Sequence, residues 1–222
     1  MSLPEHPELA RQGRQPASAP PHPAPVAPAE AAAVVLPDLT VMFADLGGSS
    51  ALYHRLGDGA AFALVRHHLG VLRHGVLGAG GTVVKTIGDA VMAVFPEAAA
   101  AMRAALAALA ETERQPLAPP GIAPLRLKIG IHRGPVIAAA LEAGPDFFGH
   151  TVNVAARLCS LAGAGGICLG AEAGEAAGAA GLLAGLEVEP ASAPLAGLEG
   201  PPIAVLRLRL PSPGALGRGA AA

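Results

Sequence analysis

Two apolar segments joined by a two-residue turn constrain the fold of this chain more than any other feature. Residues Thr82–Ile87 and Ala90–Phe95 are rich in β-branched and apolar side chains, and only Gly88 and Asp89 separate them. A Gly-X connection between two such segments is typical of a β-hairpin. An apolar hairpin must be buried against further structure, and the elements predicted around it decide which kind of layer covers it.

Further strands and helices are predicted on both sides of this hairpin. Residues 39–44 form an apolar run that indicates a buried strand, and residues 60–77 carry apolar side chains at helical spacing. Other predicted helices are residues 51–56, 96–113, 151–162 and, weakly, 172–180; other predicted strands are 125–132, 136–141, 167–169 and 203–208. Hairpins mixed with helices predict an α+β fold whose sheet is covered mainly on one face.

Composition sets the domain limits and excludes several classes of protein. Residues 1–37 hold nine of the 22 prolines and are expected to form a disordered Pro/Ala-rich tail; residues 38–210 form the domain, and residues 211–222 a flexible tail. An apolar content of 52% excludes disorder of the whole chain, and two cysteines exclude a disulfide framework.

Charge and hydropathy predict the surroundings of the protein. A net charge of −2 argues against a nucleic acid partner, which usually requires a strongly basic face. No apolar run reaches the roughly 20 residues of a membrane span, and no signal peptide is visible. A cytoplasmic protein without a membrane span is expected.

Two acids occupy positions suited to metal binding. Asp45 follows the strand at residues 39–44, and Asp89 lies in the hairpin turn. If these strands are neighbours, both carboxylates lie at one end of the sheet, where Mg²⁺ takes one or two carboxylates together with substrate phosphates. Asp is also common in turns for local reasons, so either acid alone leaves a purely structural role open.

A glycine-rich loop and a helical polar pair complete the set of candidate residues. The loop leads from the first strand into a helix, where backbone N–H groups form a natural phosphate cradle; its residues are Leu46, Gly47, Gly48, Ser49 and Ser50. Asn153 and Arg157 are four residues apart, which places them on one helical face. Beside a phosphate, the guanidinium would stabilise developing charge and the amide would orient the nucleophile.

Four segments in a fixed order resemble the catalytic domain of the class III nucleotide cyclases. They are FADLGGSS at residues 43–50, VKTIGDAVMAVF at 84–95, KIGIHRGPV at 128–136 and DFFGHTVNVAARL at 146–158. The resemblance covers roughly residues 39–208, and the joint occurrence of the four segments is far more specific than any one of them.

This resemblance implies a ferredoxin-like βαββαβ core with additional C-terminal strands, and a head-to-tail homodimer with two shared active sites. It implies that Asp45 and Asp89 bind two Mg²⁺ or Mn²⁺ ions, that the backbone of residues 46–50 holds the triphosphate, and that Lys128 contacts terminal phosphates. The partner chain would supply further residues to the same site. These are Lys85 and Asp146 for the base, and Asn153 and Arg157 for the reacting phosphate.

The expected reaction is the conversion of ATP to 3′,5′-cyclic AMP and pyrophosphate. Lys85 can only donate a hydrogen bond and ionised Asp146 can only accept one, which fits the pairing edge of adenine and not that of guanine. Two alternatives stay open: a catalytically silent cyclase-homology domain that acts as a dimerisation or nucleotide-sensing module, and a cyclase that uses GTP. A diguanylate cyclase is disfavoured because its GGDEF signature is missing.

The chain departs from the family pattern at two places. Ser49 and Ser50 stand where a Phe and a Thr are frequent, which leaves the loop amides available. Ala196 stands where the family usually has a phosphate-contacting Lys, and loss of that contact is expected to weaken ATP binding by about 1.5–3 kcal/mol. Arg207 or Arg209 are candidates to compensate.

Overall fold

The computed structural model describes residues 33–114, 124–142, 144–198 and 200–211. The strands are β1 (Ala33–Gly47), β2 (Thr82–Ile87), β3 (Ala90–Phe95), β4 (Arg126–Leu141), β5 (Gly144–Phe148), β6 (Gly166–Gly170), β7 (Glu187–Ala193) and β8 (Ile203–Arg209). The helices are α1 (Ser49–Leu56), α2 (Asp58–Gly78), α3 (Ala98–Arg114), α4 (His150–Leu161) and α5 (Ala171–Ala179).

The eight strands of the described ranges belong to one sheet whose centre has ferredoxin-like topology. Its order is β2-β3-β1-β4-β6-β8-β7, and β5 pairs with β4 outside this path. β1 lies between β3 and β4 and is antiparallel to both. Helices α1 and α2 connect β1 to β2, and α3 connects β3 to β4, so the first half of the domain has the predicted βαββαβ order. The predicted α+β fold class is confirmed.

Helices cover both faces of the sheet, with the larger core on the face of α2 and α3. Alternate residues of β4, including Leu127, Ile129 and Ile131, enter that core, because side chains of a strand point to opposite faces in turn. Helix α4 packs on the other face, where Val154 and Leu158 are buried. No helix in the described residues is long and apolar enough to cross a membrane.

Two strands are longer than the sequence indicated. β1 begins at Ala33, so residues 33–37 belong to the sheet and not to the predicted tail, whose residues 1–32 lie outside the described ranges. Residues 125–132 and 136–141 were expected to be two paired strands, but they form the single strand β4. Pro37 and Pro135 both lie at a β-bulge between the pairs Leu36–Val136 and Leu39–Gly134, where a missing backbone N–H is tolerated.

Strands β5 and β7 have no counterpart among the predicted elements. β5 pairs with the second half of β4, and β7 is the edge strand beside β8. β7 contains Pro190 and two glutamates, a composition that disfavours a strand unless it lies at an edge. The predicted C-terminal tail lies outside the described ranges from residue 212 onward.

Candidate active site

The two candidate metal ligands lie at the same end of the sheet, as predicted. Asp45 is two residues from the end of β1, and Asp89 lies in the β2–β3 turn, where Gly88 has a φ of 63°. Because β1 and β3 are antiparallel, with Ala44 opposite Val91, this turn flanks the end of β1. Both acids are half-buried. Hard oxygen donors in this arrangement fit Mg²⁺ or Mn²⁺.

The remaining ligands of such an ion must come from elsewhere. In the described ranges no group of three or more His, Cys, Asp or Glu side chains is arranged to hold a metal. Two carboxylates therefore form an incomplete site, which water and the phosphate oxygens of a substrate can fill. This is the mode of binding that Mg²⁺ prefers.

Lys128 lies directly across the ladder from Asp45. The two residues are register partners of β4 and β1, and Lys128 Nζ is 2.6 Å from Asp45 Oδ2. The hydrogen bond to Asp45 raises the pKa of Lys128; partial burial opposes this effect, and the charges of Asp45 and Asp89 add to it. The ammonium is therefore firmly charged and lies among the acids of the site.

The loop that connects β1 to α1 exposes backbone groups, while its one large side chain, that of Leu46, is buried. Gly48 precedes α1 with a φ of 94°, a left-handed conformation that favours glycine, and no side chain caps the helix. The first amides of α1, from Ser49 and Ser50 onward, are thus left without a capping side chain. The side chain of Leu46 is buried in the core, so only its backbone is placed to contribute.

Folding brings the two candidate base-reading residues into contact, although they are 61 positions apart. Lys85 Nζ is 2.5 Å from Asp146 Oδ2, and Asp146 Oδ1 accepts a hydrogen bond of 2.8 Å from the N–H of Phe147. Burial disfavours the charged form of Asp146, but the bonds from Lys85 and Phe147 outweigh it and lower the pKa of Asp146. The ring of Phe148 lies 5.9 Å from the Lys85 ammonium.

Asn153 and Arg157 lie together on the exposed side of α4. The opposite side of the helix, including Val154, Ala155 and Leu158, is buried against the sheet. Within the described residues no hydrogen bond or ion pair joins Asn153 or Arg157 to either acid. One chain therefore brings together Asp45, Asp89 and Lys128, and separately Lys85 and Asp146, while the helical pair faces outward.

The loop that carries Ala196 lies next to Arg157. A Cβ built on Gly197 would lie 3.3 Å from a terminal nitrogen of Arg157. Arg207 lies 3.8 Å from Glu189 across the β7–β8 ladder, and Arg209 lies near Gly163 at the end of α4. The position of the missing Lys is thus a neighbour of Arg157.

Several contacts that hold α4 in place were not foreseen. The Thr151 hydroxyl donates to the carbonyl of Pro135 at 2.6 Å, and the Cys159 thiol donates to the carbonyl of Lys128 at 3.1 Å. Burial raises the pKa of Cys159 to about 12, so this thiol is a structural donor and not a nucleophile. The one sequence signal for this packing is the glycine at position 130 of β4. Gly130 lies beneath the helix, and its lack of a side chain lets α4 come close to the strand.

The sequence and the fold can be compared with known proteins on this basis. Residues 33–179 match the family model described as the adenylate and guanylate cyclase catalytic domain, which is more than half of the chain. The chain belongs to this family. A curated relative of the cyclase domain is an adenylate cyclase from Anabaena cylindrica, 27% identical over a match 135 residues long that covers 55% of this chain. The match covers 27% of that relative, so the chain spans about a quarter of its length.

Solved cyclase structures share the fold of this domain. The adenylyl cyclase CyaB from P. aeruginosa has a TM-score of 0.71 at 24% identity, covering 82% of this chain and 97% of that chain. An adenylate/guanylate cyclase/hydrolase from Silicibacter pomeroyi has a TM-score of 0.65 at 29% identity, covering 81% and 99%. The guanylate cyclase domain of RhGC from Catenaria anguillulae, in complex with GTP, has a TM-score of 0.67 at 22% identity, covering 81% and 100%.

Proposed function

We propose that this cyclase domain is an adenylate cyclase, which converts ATP to 3′,5′-cyclic AMP and pyrophosphate in the cytoplasm. The observation that carries the choice of substrate is the contact between Lys85 and Asp146. Adenine offers an acceptor ring nitrogen and a donor amino group on its pairing edge, whereas guanine offers the reverse. An ammonium that only donates, beside a carboxylate whose lowered pKa keeps it an acceptor, matches adenine.

The acid end of the sheet supplies the metal and phosphate contacts of the proposed site. Asp45 and Asp89 would hold two Mg²⁺ or Mn²⁺ ions, the amides of residues 46–50 would receive the triphosphate, and Lys128 would bind its terminal oxygens. When bound, such ions lower the pKa of the ribose 3′-hydroxyl and neutralise phosphate charge. Arg157 stabilises the charge that develops at the α-phosphorus, and Asn153 orients the attacking hydroxyl.

A homodimer completes each site in this proposal, because the partner supplies its Lys85–Asp146 pair and its Asn153–Arg157 pair to the acids. The outward position of Asn153 and Arg157 supports this arrangement. So does a row of exposed apolar side chains in register across three strands: Val35, Ile137 and Phe148 are 67%, 41% and 42% exposed. Such a row marks an interaction surface, and a two-fold dimer is the usual way to cover one.

Chromatography of the reaction products tests the proposal. The purified protein is incubated with ATP or GTP in the presence of Mn²⁺ or Mg²⁺, and Asp45→Ala and Asp89→Ala serve as controls. We expect cyclic AMP from the parent protein and from neither variant. More cyclic GMP from GTP than cyclic AMP from ATP would replace ATP with GTP as substrate, and no cyclic product with either nucleotide would favour a silent dimerisation or nucleotide-sensing module.

A further inference from the structure

The ammonium of Lys128 lies where the proposed site would place a divalent cation. Its Nζ is 2.6 Å from Asp45 Oδ2, and the side chains of Lys128 and Asp45 are only 26% and 29% exposed. A carboxylate oxygen that is in contact with an ammonium at this distance is not free to bind a metal ion with the same lone pairs. The positive charge of Lys128 also repels a cation that approaches the two acids.

Only the side chain of Lys128 is free to move, because its backbone is held from both sides. Its carbonyl accepts the hydrogen bond from Cys159, and its strand pairs with β1 through Asp45 and with β6 through Gly166. The stem of the side chain runs along the glycine loop, since a Cβ built on Gly47 would lie 3.8 Å from Lys128 Cε. Rotation about side-chain bonds is therefore enough to carry the ammonium from Asp45 to a phosphate held by that loop.

We infer that Lys128 occupies the metal-binding side of Asp45 in the nucleotide-free protein and moves to the phosphates when a nucleotide binds, so that a divalent cation binds strongly only together with the nucleotide. The inference rests on the proposed function and assigns Lys128 a second role, as a positioning residue that sets the order of ligand binding. The triphosphate offers the ammonium an anionic partner and frees Asp45 in the same step. Metal and nucleotide affinities are thereby coupled through one side chain.

Mn²⁺ binding to the nucleotide-free protein, followed by electron paramagnetic resonance, tests this coupling. We expect Lys128→Met to bind Mn²⁺ about three- to tenfold more tightly than the parent, because Asp45 loses its competing partner. Arg126→Met is the matched control: Arg126 lies two residues away on the same strand, and its ion-pair partner at 3.9 Å is Glu113, not Asp45. This control removes one positive charge nearby and should change the Mn²⁺ affinity by less than about twofold.

A second measurement follows the nucleotide. In EDTA, Lys128→Met should bind 3′-deoxy-ATP, which has no 3′-hydroxyl to cyclise, more weakly than the parent, so the one substitution shifts metal and nucleotide affinity in opposite directions. Thermal unfolding verifies that the variants are folded. Unchanged Mn²⁺ affinity in Lys128→Met, or equal tightening in Arg126→Met, would overturn the inference. If the Mn²⁺ pattern is observed but the parent forms no cyclic nucleotide from ATP, the proposed activity fails and the inference on Lys128 stands.

Discussion

At the scale of single residues, the pairing of Lys85 with Asp146 links the fold to the proposed choice of base. Each residue alone is an ordinary surface charge, and an exposed ion pair contributes little to stability. What distinguishes the two residues is their position. Strands β2 and β5 each contribute one of them to the contact, and the side chain of Asp146 is only 14% exposed. A site that reads a base by hydrogen bonds loses much when one partner is removed or inverted.

Reversal of the charge at position 85 tests this reading of the base. In Lys85→Glu, a carboxylate would face Asp146 and the donor to adenine would be lost. We expect kcat/KM for ATP to fall at least tenfold, since a hydrogen bond to a charged group is worth about 1.5–3 kcal/mol. Arg103→Glu makes the same charge change on the exposed side of α3 and should leave the value nearly unchanged. Equal losses in both variants would point to a general effect of charge.

His132 provides a second prediction at this scale, on stability and pH. Burial, and then the charge of nearby His150, lower the pKa of His132 to about 4, and its Nδ1 has no hydrogen-bond partner among the described residues. Unfolded His132 takes up a proton as pH falls below about 6.5, whereas the folded form resists protonation until about pH 4. The free energy of unfolding should therefore have its full contribution from His132 above pH 6.5 and decrease by about 3 kcal/mol as the pH falls toward 4.

Urea unfolding of His132→Gln across that range checks the origin of this pH dependence. The variant should show a flatter profile between pH 6.5 and pH 4, because it lacks the titrating group. His54→Gln, at an exposed position of α1, should keep the slope of the parent. If the parent and His132→Gln have parallel profiles, another group controls the acid sensitivity.

At the scale of secondary structure elements, the packing of α4 on the sheet positions the helical pair. Gly130 allows a very close approach: a Cβ there would lie 2.1 Å from the backbone N of Cys159 and 2.4 Å from the carbonyl O of Ala155. Backbone atoms cannot rotate away, so any side chain at position 130 must push the helix from the sheet. Asn153 and Arg157 would move with it.

Gly130→Ala is expected to destabilise the domain by about 1–3 kcal/mol and to lower cyclase activity beyond the loss of folded protein. The Gly70→Ala control, in α2, has open space around the added methyl group and should be neutral or stabilising by up to about 1 kcal/mol. Urea unfolding and activity per folded molecule separate the two effects. A Gly130→Ala protein as stable as the parent would show that α4 adapts without strain.

The same scale shows where the sequence was informative and where it was not. The β2–β3 hairpin and helices α2 to α4 follow from periodicity and turn residues, because local spacing alone defines them. β4 was divided at Gly134 and Pro135, since the bulge that accommodates the proline depends on the pairing with β1. β5 and β7 are edge or side strands without an apolar run, and long-range pairing alone makes them strands.

At the scale of the whole molecule, the sequence motifs indicated the candidate site residues but not the distances between them. The meeting of Asp45 with Lys128 and of Lys85 with Asp146 depends on β1–β4 pairing and on the position of β5, which no local pattern specifies. Within one chain, no hydrogen bond or ion pair of the described residues joins the two acids to the pair Asn153 and Arg157. The proposed dimer must bring them together. If the sites are shared between chains, a mixture of two different inactive variants should regain activity.

Mixing Asp45→Ala with Arg157→Ala tests the shared sites. Each variant alone should be inactive, because both sites of its homodimer lack one essential group. In the mixed dimer, one site combines both defects, while the other takes an intact Asp45 from one chain and an intact Arg157 from its partner. With random exchange, half of the dimers are mixed and each has one working site, so activity should return to about a quarter of the parent value.

Mixing Asp45→Ala with Asp89→Ala is the matched control and should restore nothing, since the two acids serve the same site from one chain. If mixed dimers form, as shown by differently tagged chains that purify together, and activity stays at zero, the acids and the helical pair do not act across the interface.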